Sequence, residues 1–230
     1  MSKKVKITTL PNLLDLIAPH SCRGCGQLGN VLCGKCKNYI ISQHANLCPV
    51  CKSEKSTSKC PNCKSLPEFY IIGRKADLLE ALIYDLKYRS VRDIAKPLGE
   101  ILDAIIPTLK DPVYLVPLPT IRKHVRRRGL DHTLLIAKAF KKTRKNYKIA
   151  RIITRATNSI QVGANATTRV KQANEAYAIS PKKTIDQNAT YVLIDDVWTT
   201  GASMLSAAKL LKKAGAQKIV CIIIALSISS

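Results

Sequence analysis

The sequence predicts an α/β domain, a parallel sheet flanked by helices, behind a small cysteine-rich module. Two observations carry that reading. Eight of the nine cysteines fall into four Cys-x-x-Cys pairs, all between Cys22 and Cys63. Beyond Cys63 the cysteines stop, and segments of helical and strand period alternate along the chain. The change of composition sets the boundary near Pro67, with residues 1–66 as the module and 67–230 as the α/β domain. At 230 residues there is room for one ordinary domain and a small one, and 46% apolar residues suffice for a packed core.

Lys3, Lys4 and Lys6 precede an apolar stretch from Leu10 to Ala18. Pro11, Asn12 and Asp15 interrupt it and no small-residue cleavage site follows, so residues 10–18 are read as a short amphipathic helix and not as an export signal. The module then reads Cys22-x2-Cys25-x7-Cys33-x2-Cys36, eleven residues, and Cys48-x2-Cys51-x8-Cys60-x2-Cys63. Each half is a four-thiolate set of zinc-ribbon spacing, with Gly24, Gly26, Gly34, Pro49 and Pro61 supplying the turns. Sequential pairing gives one zinc per half; interleaved pairing, or a single occupied site, is also compatible with the spacing. The zinc is expected to be structural and to supply much of the segment's folding energy, because few large apolar residues lie between Cys22 and Cys63. Paired thiols without an export signal point to a cytoplasmic protein. His20 and His44 are surplus to two complete sets and are read as surface residues.

In the α/β domain Leu78, Leu79, Leu82, Ile83 and Leu86 mark one packing helix, and Ile94, Leu98, Ile101, Leu102 and Ile105 a second. Lys87 and Arg89, at the end of the first, are expected to meet its terminal carbonyls. A short strand from Val113 to Val116 runs into Pro117-Leu118-Pro119-Thr120 and a basic loop holding Arg122, Lys123, Arg126, Arg127, Arg128 and Gly129. A helix follows from about Asp131, a candidate cap, to Lys142. His124 and His132 lie in cationic surroundings and are expected to face solvent. Ile149 to Thr154 reads as a strand, and Arg155 to Asn188 as a long polar connection able to act as a lid, with Arg155 and Arg169 closing on ligand charge. The last element, Lys218 to Leu226, contains the run from Ile219, too short for a membrane span; it reads as a buried strand with Cys221 in the core, so no membrane insertion is expected.

The most informative segment is Tyr191 to Ser203. An apolar strand ends on Asp195 and Asp196 and turns through Val197-Trp198 into Thr199-Thr200-Gly201-Ala202-Ser203 at the start of a helix reaching Ala214. Amides at a helix N-terminus, three hydroxyls and a close-approach glycine suit a phosphate, and carboxylates at a strand's carboxyl end suit ribose hydroxyls. This pattern resembles the signature of type I phosphoribosyltransferases, which bind 5-phosphoribosyl 1-pyrophosphate (PRPP) with magnesium.

The net charge is +23, and between Arg122 and Arg155 thirteen lysines and arginines face one acid, Asp131. Such a focus attracts polyanions, and with only Phe140 and Tyr147 as aromatic platforms nearby it favours sequence-tolerant phosphate contacts over base stacking. Arg122, Lys123, Arg126 and Arg127 are the candidate nucleic-acid residues.

Across nearly the whole chain, Leu13-Leu14-Asp15 through Cys22-Arg23-Gly24-Cys25-Gly26, the four cysteine pairs, Leu86-Lys87-Tyr88, Val116-Pro117-Leu118-Pro119, Arg127-Arg128-Gly129, Arg155-Ala156-Thr157 with Gln161 and Arg169, and Ile194 to Ser203 occur in the order seen in ComF-like proteins. The resemblance implies a type I phosphoribosyltransferase fold with an N-terminal zinc module. It also implies a role in natural transformation, with single-stranded DNA and DNA-uptake machinery as partners. It assigns the ribose to Asp195 and Asp196 as the catalytic pair, and the 5′-phosphate to Thr199, Thr200, Gly201, Ala202 and Ser203. The pyrophosphate falls to the segment holding Pro119 and Arg128 and to a hood holding Arg155 and Arg169. Gly129-Leu130-Asp131-His132 departs from the Gly-Phe-Asn-Gln common in the family. No glutaminase segment is read in these residues, so ammonia freed internally from glutamine is not the expected acceptor. A PRPP-regulated DNA-binding adaptor without catalysis and a nucleobase salvage enzyme are the other two readings.

Overall fold

The computed structural model describes residues 20–54, 59–110, 112–155, 177–181 and 183–227. After α1 (Gly34–Ser42) the chain alternates between strands and helices: β1 (Glu68–Arg74), α2 (Asp77–Tyr88), α3 (Ala95–Ile105), β2 (Val113–Pro117), α4 (Arg122–Arg128), α5 (His132–Thr143), β3 (Lys148–Ile149), β4 (Ile153–Arg155), β5 (Tyr177–Ile179), β6 (Thr190–Trp198), α6 (Ala202–Lys213) and β7 (Lys218–Leu226). Five strands form one parallel sheet in the order β1-β7-β6-β2-β3. The two central strands, β6 and β7, are apolar over most of their length because helices cover both faces. Cys221 is fully buried in β7, as expected.

One face packs against α1, α2, α3 and α5 through Val192, Ile194, Ile222 and Ile224; the other packs against α6 and the β4-β5 hairpin through Tyr191, Leu193, Cys221 and Ile223. On the first face α3 and α5 cross closely at Gly99, where a Cβ would stand 2.6 Å from the Ala139 carbonyl carbon. The apolar side chains of the first cysteine set, Val31, Leu32 and Ile40, join this same core. Two ion pairs add to that seam: Arg23 meets the buried Asp85 at 2.6 Å and Lys37 meets Glu100 at 2.7 Å. The composition break at Pro67 is therefore not a break in packing for the first set.

Three expectations need correction. The strand read over Ile149–Thr154 is two strands in different sheets: β3 joins the parallel sheet, and β4 pairs antiparallel with β5. The bend between them, at Ala150 to Ile152, carries no periodic signal that would mark it. The connection read as continuous from Arg155 to Asn188 contains β5. The basic loop after Thr120 is a helix, α4, ended by Gly129 in the left-handed conformation at φ 68°. Gln161, Arg169 and Asn174, like the helix read over residues 10–18, lie outside the described residues.

Candidate functional site

Strand β6 runs through the acidic pair to Trp198, so Asp195 and Asp196 project to opposite faces of the sheet. The sequence reading put both on a ligand at the strand's end; the pleat separates them. Asp195 lines a cavity of about 40 Å³ together with Trp198, Thr199, Thr200, Gly201, Ala202 and Ser203. Burial lifts its carboxyl from the ordinary aspartate range to about 7, against the pull of Lys87 and Arg155. Helix α6 starts behind Gly201 with no side-chain cap, and Ala202 N lies 3.4 Å from Thr200 Oγ1. Apart from the Ala202 amide, which donates to the Thr200 hydroxyl, the amides of this first turn are available as donors to an anion. Gly201 is required twice over: its φ is +76°, and a Cβ there would sit 2.0 Å from Trp198 Cζ2. The indole, packed edge-on against Phe69 at 5.4 Å, is thus the floor on which the loop is folded, a role that sequence alone left unassigned.

Arg155 reaches the same cavity side. Its Nε donates to the Pro119 carbonyl at 3.1 Å, and its guanidinium lies 5.4 Å from the centre of the Tyr177 ring. Burial raises the Tyr177 hydroxyl, while Arg155 and a hydrogen bond with Ser203 oppose the rise. Pro119, Arg155, Tyr177, Asp195 and Ser203 thus converge from four separate segments.

Asp196 is buried on the opposite face between α2 and α5. Its carboxylate is paired with Lys87 and stands 3.0 Å from His132 Nε2. Arg128 turns inward here from the end of α4, its guanidinium 4.8 Å from the centre of the Tyr88 ring. Burial, with the charges of Lys87 and Arg128, holds His132 down to about 3, so the ring is neutral. Burial likewise lowers Lys87 to about 8 despite the carboxylate of Asp195. His132 Nδ1 and Arg128 Nε are buried without a hydrogen bond, and Asp196 Oδ2 is held by its ion pair with Lys87 and not by a well-angled hydrogen bond. These contacts correct two expectations: His132 is not solvent-facing, and Lys87 leaves its helix carbonyls to meet Asp196. Leu86-Lys87-Tyr88 was the available signal, since a lysine one residue after a core leucine at a helix end can be drawn inward. Asp131 caps α5 as expected, accepting from Leu134 N at 3.3 Å.

Arg122, Lys123, Arg126 and Arg127 stay exposed on α4, away from the inward Arg128. Phe140 and Tyr147 are fully buried and offer no stacking platform.

The cysteines assemble in chain order, Cys22, Cys25, Cys33 and Cys36 in one set and Cys48, Cys51, Cys60 and Cys63 in the other, each with its sulfurs within 4.8 Å of one another. Sulfurs at 2.3 Å from a tetrahedral zinc stand about 3.8 Å apart; Cys25 and Cys33 are 3.6 Å apart, and Cys51 and Cys60 3.5 Å. Amides of Gly24 and Cys33 point at Cys22 Sγ at 3.4 and 3.3 Å. Cys36 and Cys63 are pushed up to about 12, by burial and then by the neighbouring cysteines, so without a cation one thiol of each set keeps its proton. Both sets fit zinc. His20, 3.0 Å from Asp93, and the exposed His44 belong to neither set.

A family profile of the phosphoribosyl transferase domain matches residues 136–230, the part that holds β6, the loop and α6. Competence protein F of Haemophilus influenzae is 27% identical over 212 residues, covering 86% of this chain and 92% of that protein. A crystal structure of a hypoxanthine phosphoribosyltransferase from Staphylococcus aureus is similar over 59% of this chain and 62% of its own, at 14% identity and a TM-score of 0.36. The chain spans under two thirds of that enzyme, and a likeness of this size carries no argument here. By fold and sequence this is a phosphoribosyltransferase-domain protein with cysteine clusters at its N-terminus that fit zinc. Together the two sequence matches support a ComF-like reading of the chain.

Proposed function

We propose that the chain binds PRPP at the carboxyl edge of its sheet and transfers the phosphoribosyl group, in a protein that also holds single-stranded DNA. One observation carries the proposal: the start of α6, with no cap from its N-cap residue and only the Ala202 amide donating to the Thr200 hydroxyl, sits behind a left-handed Gly201 in the same cavity that Asp195 lines. In this reading Thr199 to Ser203 hold the 5′-phosphate and Asp195 faces the ribose hydroxyls. Arg155, tied to the Pro119 carbonyl, meets pyrophosphate charge, and Arg128 and Lys87 extend that charge on the far side of β6. Arg169 is the remaining proposed pyrophosphate contact. As the bond from C1 to the pyrophosphate oxygen breaks and the acceptor's lone pair bonds C1, negative charge builds on the leaving group, where preorganised cations stabilise it. Asp195 is the carboxylate that would face a magnesium ion accompanying the pyrophosphate, and such an ion would supply Lewis-acid neutralisation of the leaving group. Asp196, held between Lys87 and His132, positions the end of β6.

The exposed Arg122, Lys123, Arg126 and Arg127 are the proposed strand contacts, and the name of the Haemophilus influenzae relative supports placing the activity in competence. On this reading the protein works in the cytoplasm beside the DNA-uptake machinery, with residues 1–66 as its zinc-bearing part. Assay of pyrophosphate release from PRPP with magnesium, across a panel of amines and nucleobases, tests the transfer. Release that needs one acceptor agrees with it. Saturable PRPP binding with no release under any acceptor contradicts it and leaves a PRPP-regulated DNA-binding adaptor.

A further inference from the structure

A second, larger cleft of about 670 Å³ opens at the opposite end of the sheet, where β1, β6 and β7 begin. Its rim carries Lys59, Lys64, Lys110, Lys209, Lys212 and Lys218 against one carboxylate, Glu68, which stands 3.8 Å from Lys59. The other five lysines form no ion pair among the described residues and are exposed. They converge from four separate parts of the chain: the segment after the second cysteine set, the turn before β2, the outer side of α6 and the start of β7. The floor is aliphatic, built from Leu66, Leu205, Ala208 and Ile219, with no aromatic ring in the lining. The C-terminal end of α6 would repel an anion if its carbonyls were bare. They are not: Ala214 N donates to Leu210 O, Gly215 N to Lys212 O and Ala216 N to Leu211 O.

We propose that this cleft binds a nucleoside triphosphate, its phosphates on the lysines and its base and sugar on the aliphatic floor. The volume lies in the range of small-molecule sites, roughly 300 to 1,000 Å³. Five unpaired ammonium groups match the three to four negative charges of a triphosphate tail, and lysine is a point-charge partner for phosphate. A nucleic-acid strand would meet the same lysines through its phosphates, but a bounded cleft of about 670 Å³ matches a single nucleotide better than a strand that has to run past it. The site stands on the other end of the sheet from Asp195 and the Thr199–Ser203 loop, and its occupancy does not depend on how that loop is used.

The test is calorimetry of the full, zinc-loaded chain with ATP, inorganic triphosphate and a ten-residue thymidine oligonucleotide. The wild type is expected to bind one ATP per chain, and more tightly than inorganic triphosphate. Lys209→Glu with Lys212→Glu should weaken ATP at least tenfold and leave PRPP binding unchanged. The distant pair Lys141→Glu with Lys142→Glu controls for net charge and should change ATP affinity less than twofold. Equal losses in both pairs would reduce the effect to bulk charge and overturn the proposal. So would ATP binding that survives the cleft variant but vanishes in Ser203→Asp, which would put the nucleotide in the phosphate loop. Oligonucleotide bound through the cleft lysines with no ATP binding would overturn it in favour of a strand.

Discussion

His132 is neutral because it is buried and because Lys87 and Arg128 share its surroundings, and among the described residues Asp196 is the carboxylate it is paired with. Its folded value of about 3 lies below the ordinary 6.5, so the unfolded chain takes up a proton between those values that the folded protein refuses. The stability it allows is fully present above pH 6.5 and is lost as pH falls toward 3, by about 1.4 kcal/mol per pH unit. Asp195 has the opposite sign, since a carboxyl raised to about 7 favours the folded protein at lower pH. The two partly cancel in the wild type, so the difference between proteins is the clean observable. Urea melts of wild type and His132→Gln between pH 6 and pH 4 should show the wild type losing stability relative to the variant at about that slope. A pH-independent difference would mean that the ring is protonated in the fold.

At the level of elements, the two cysteine sets differ in what they hold. The first contributes Cys22, Val31, Leu32, Cys33 and Ile40 to the main core and is tied to α2 and α3 by Arg23 and Lys37; no residue of the second set is in that cluster. Metal analysis should return two zinc per chain. Cys33→Ser should lower the melting temperature of the whole chain, by several degrees or more, whereas Cys51→Ser should cost one zinc with a much smaller shift. Equal shifts would show that the second set also supports the main core. Cluster identity was legible because Cys-x-x-Cys spacing is a local signal, and the β6-to-α6 turn was legible because strand, carboxylates, hydroxyls and glycine are contiguous. The split of β3 from β4 and the inward turns of Lys87, Arg128 and His132 were not. Those depend on which face of the sheet receives α2 and α5, a long-range fact that no window of sequence carries.

Across the whole molecule, charge is arranged by face. Arg122, Arg126 and Arg127 are exposed on α4, while Arg128 is drawn into the site, so the basic run divides between two uses. Single-stranded DNA binding should weaken with salt, and reversing Arg122, Arg126 and Arg127 to glutamate should flatten the slope of log affinity against log salt by about 2. An unchanged slope would place the strand elsewhere. The central claim is that Asp195 serves a ligand and Asp196 serves the fold. Calorimetry with PRPP and magnesium, beside a thermal melt, decides it on the two single variants. Asp195→Asn should keep stability within about 1 kcal/mol and lose roughly ten- to a hundredfold in PRPP affinity, as expected for one charge-assisted contact. Asp196→Asn, which leaves Lys87 buried opposite a neutral group, should cost about 3 kcal/mol of stability. PRPP affinity unchanged in Asp195→Asn would contradict the account.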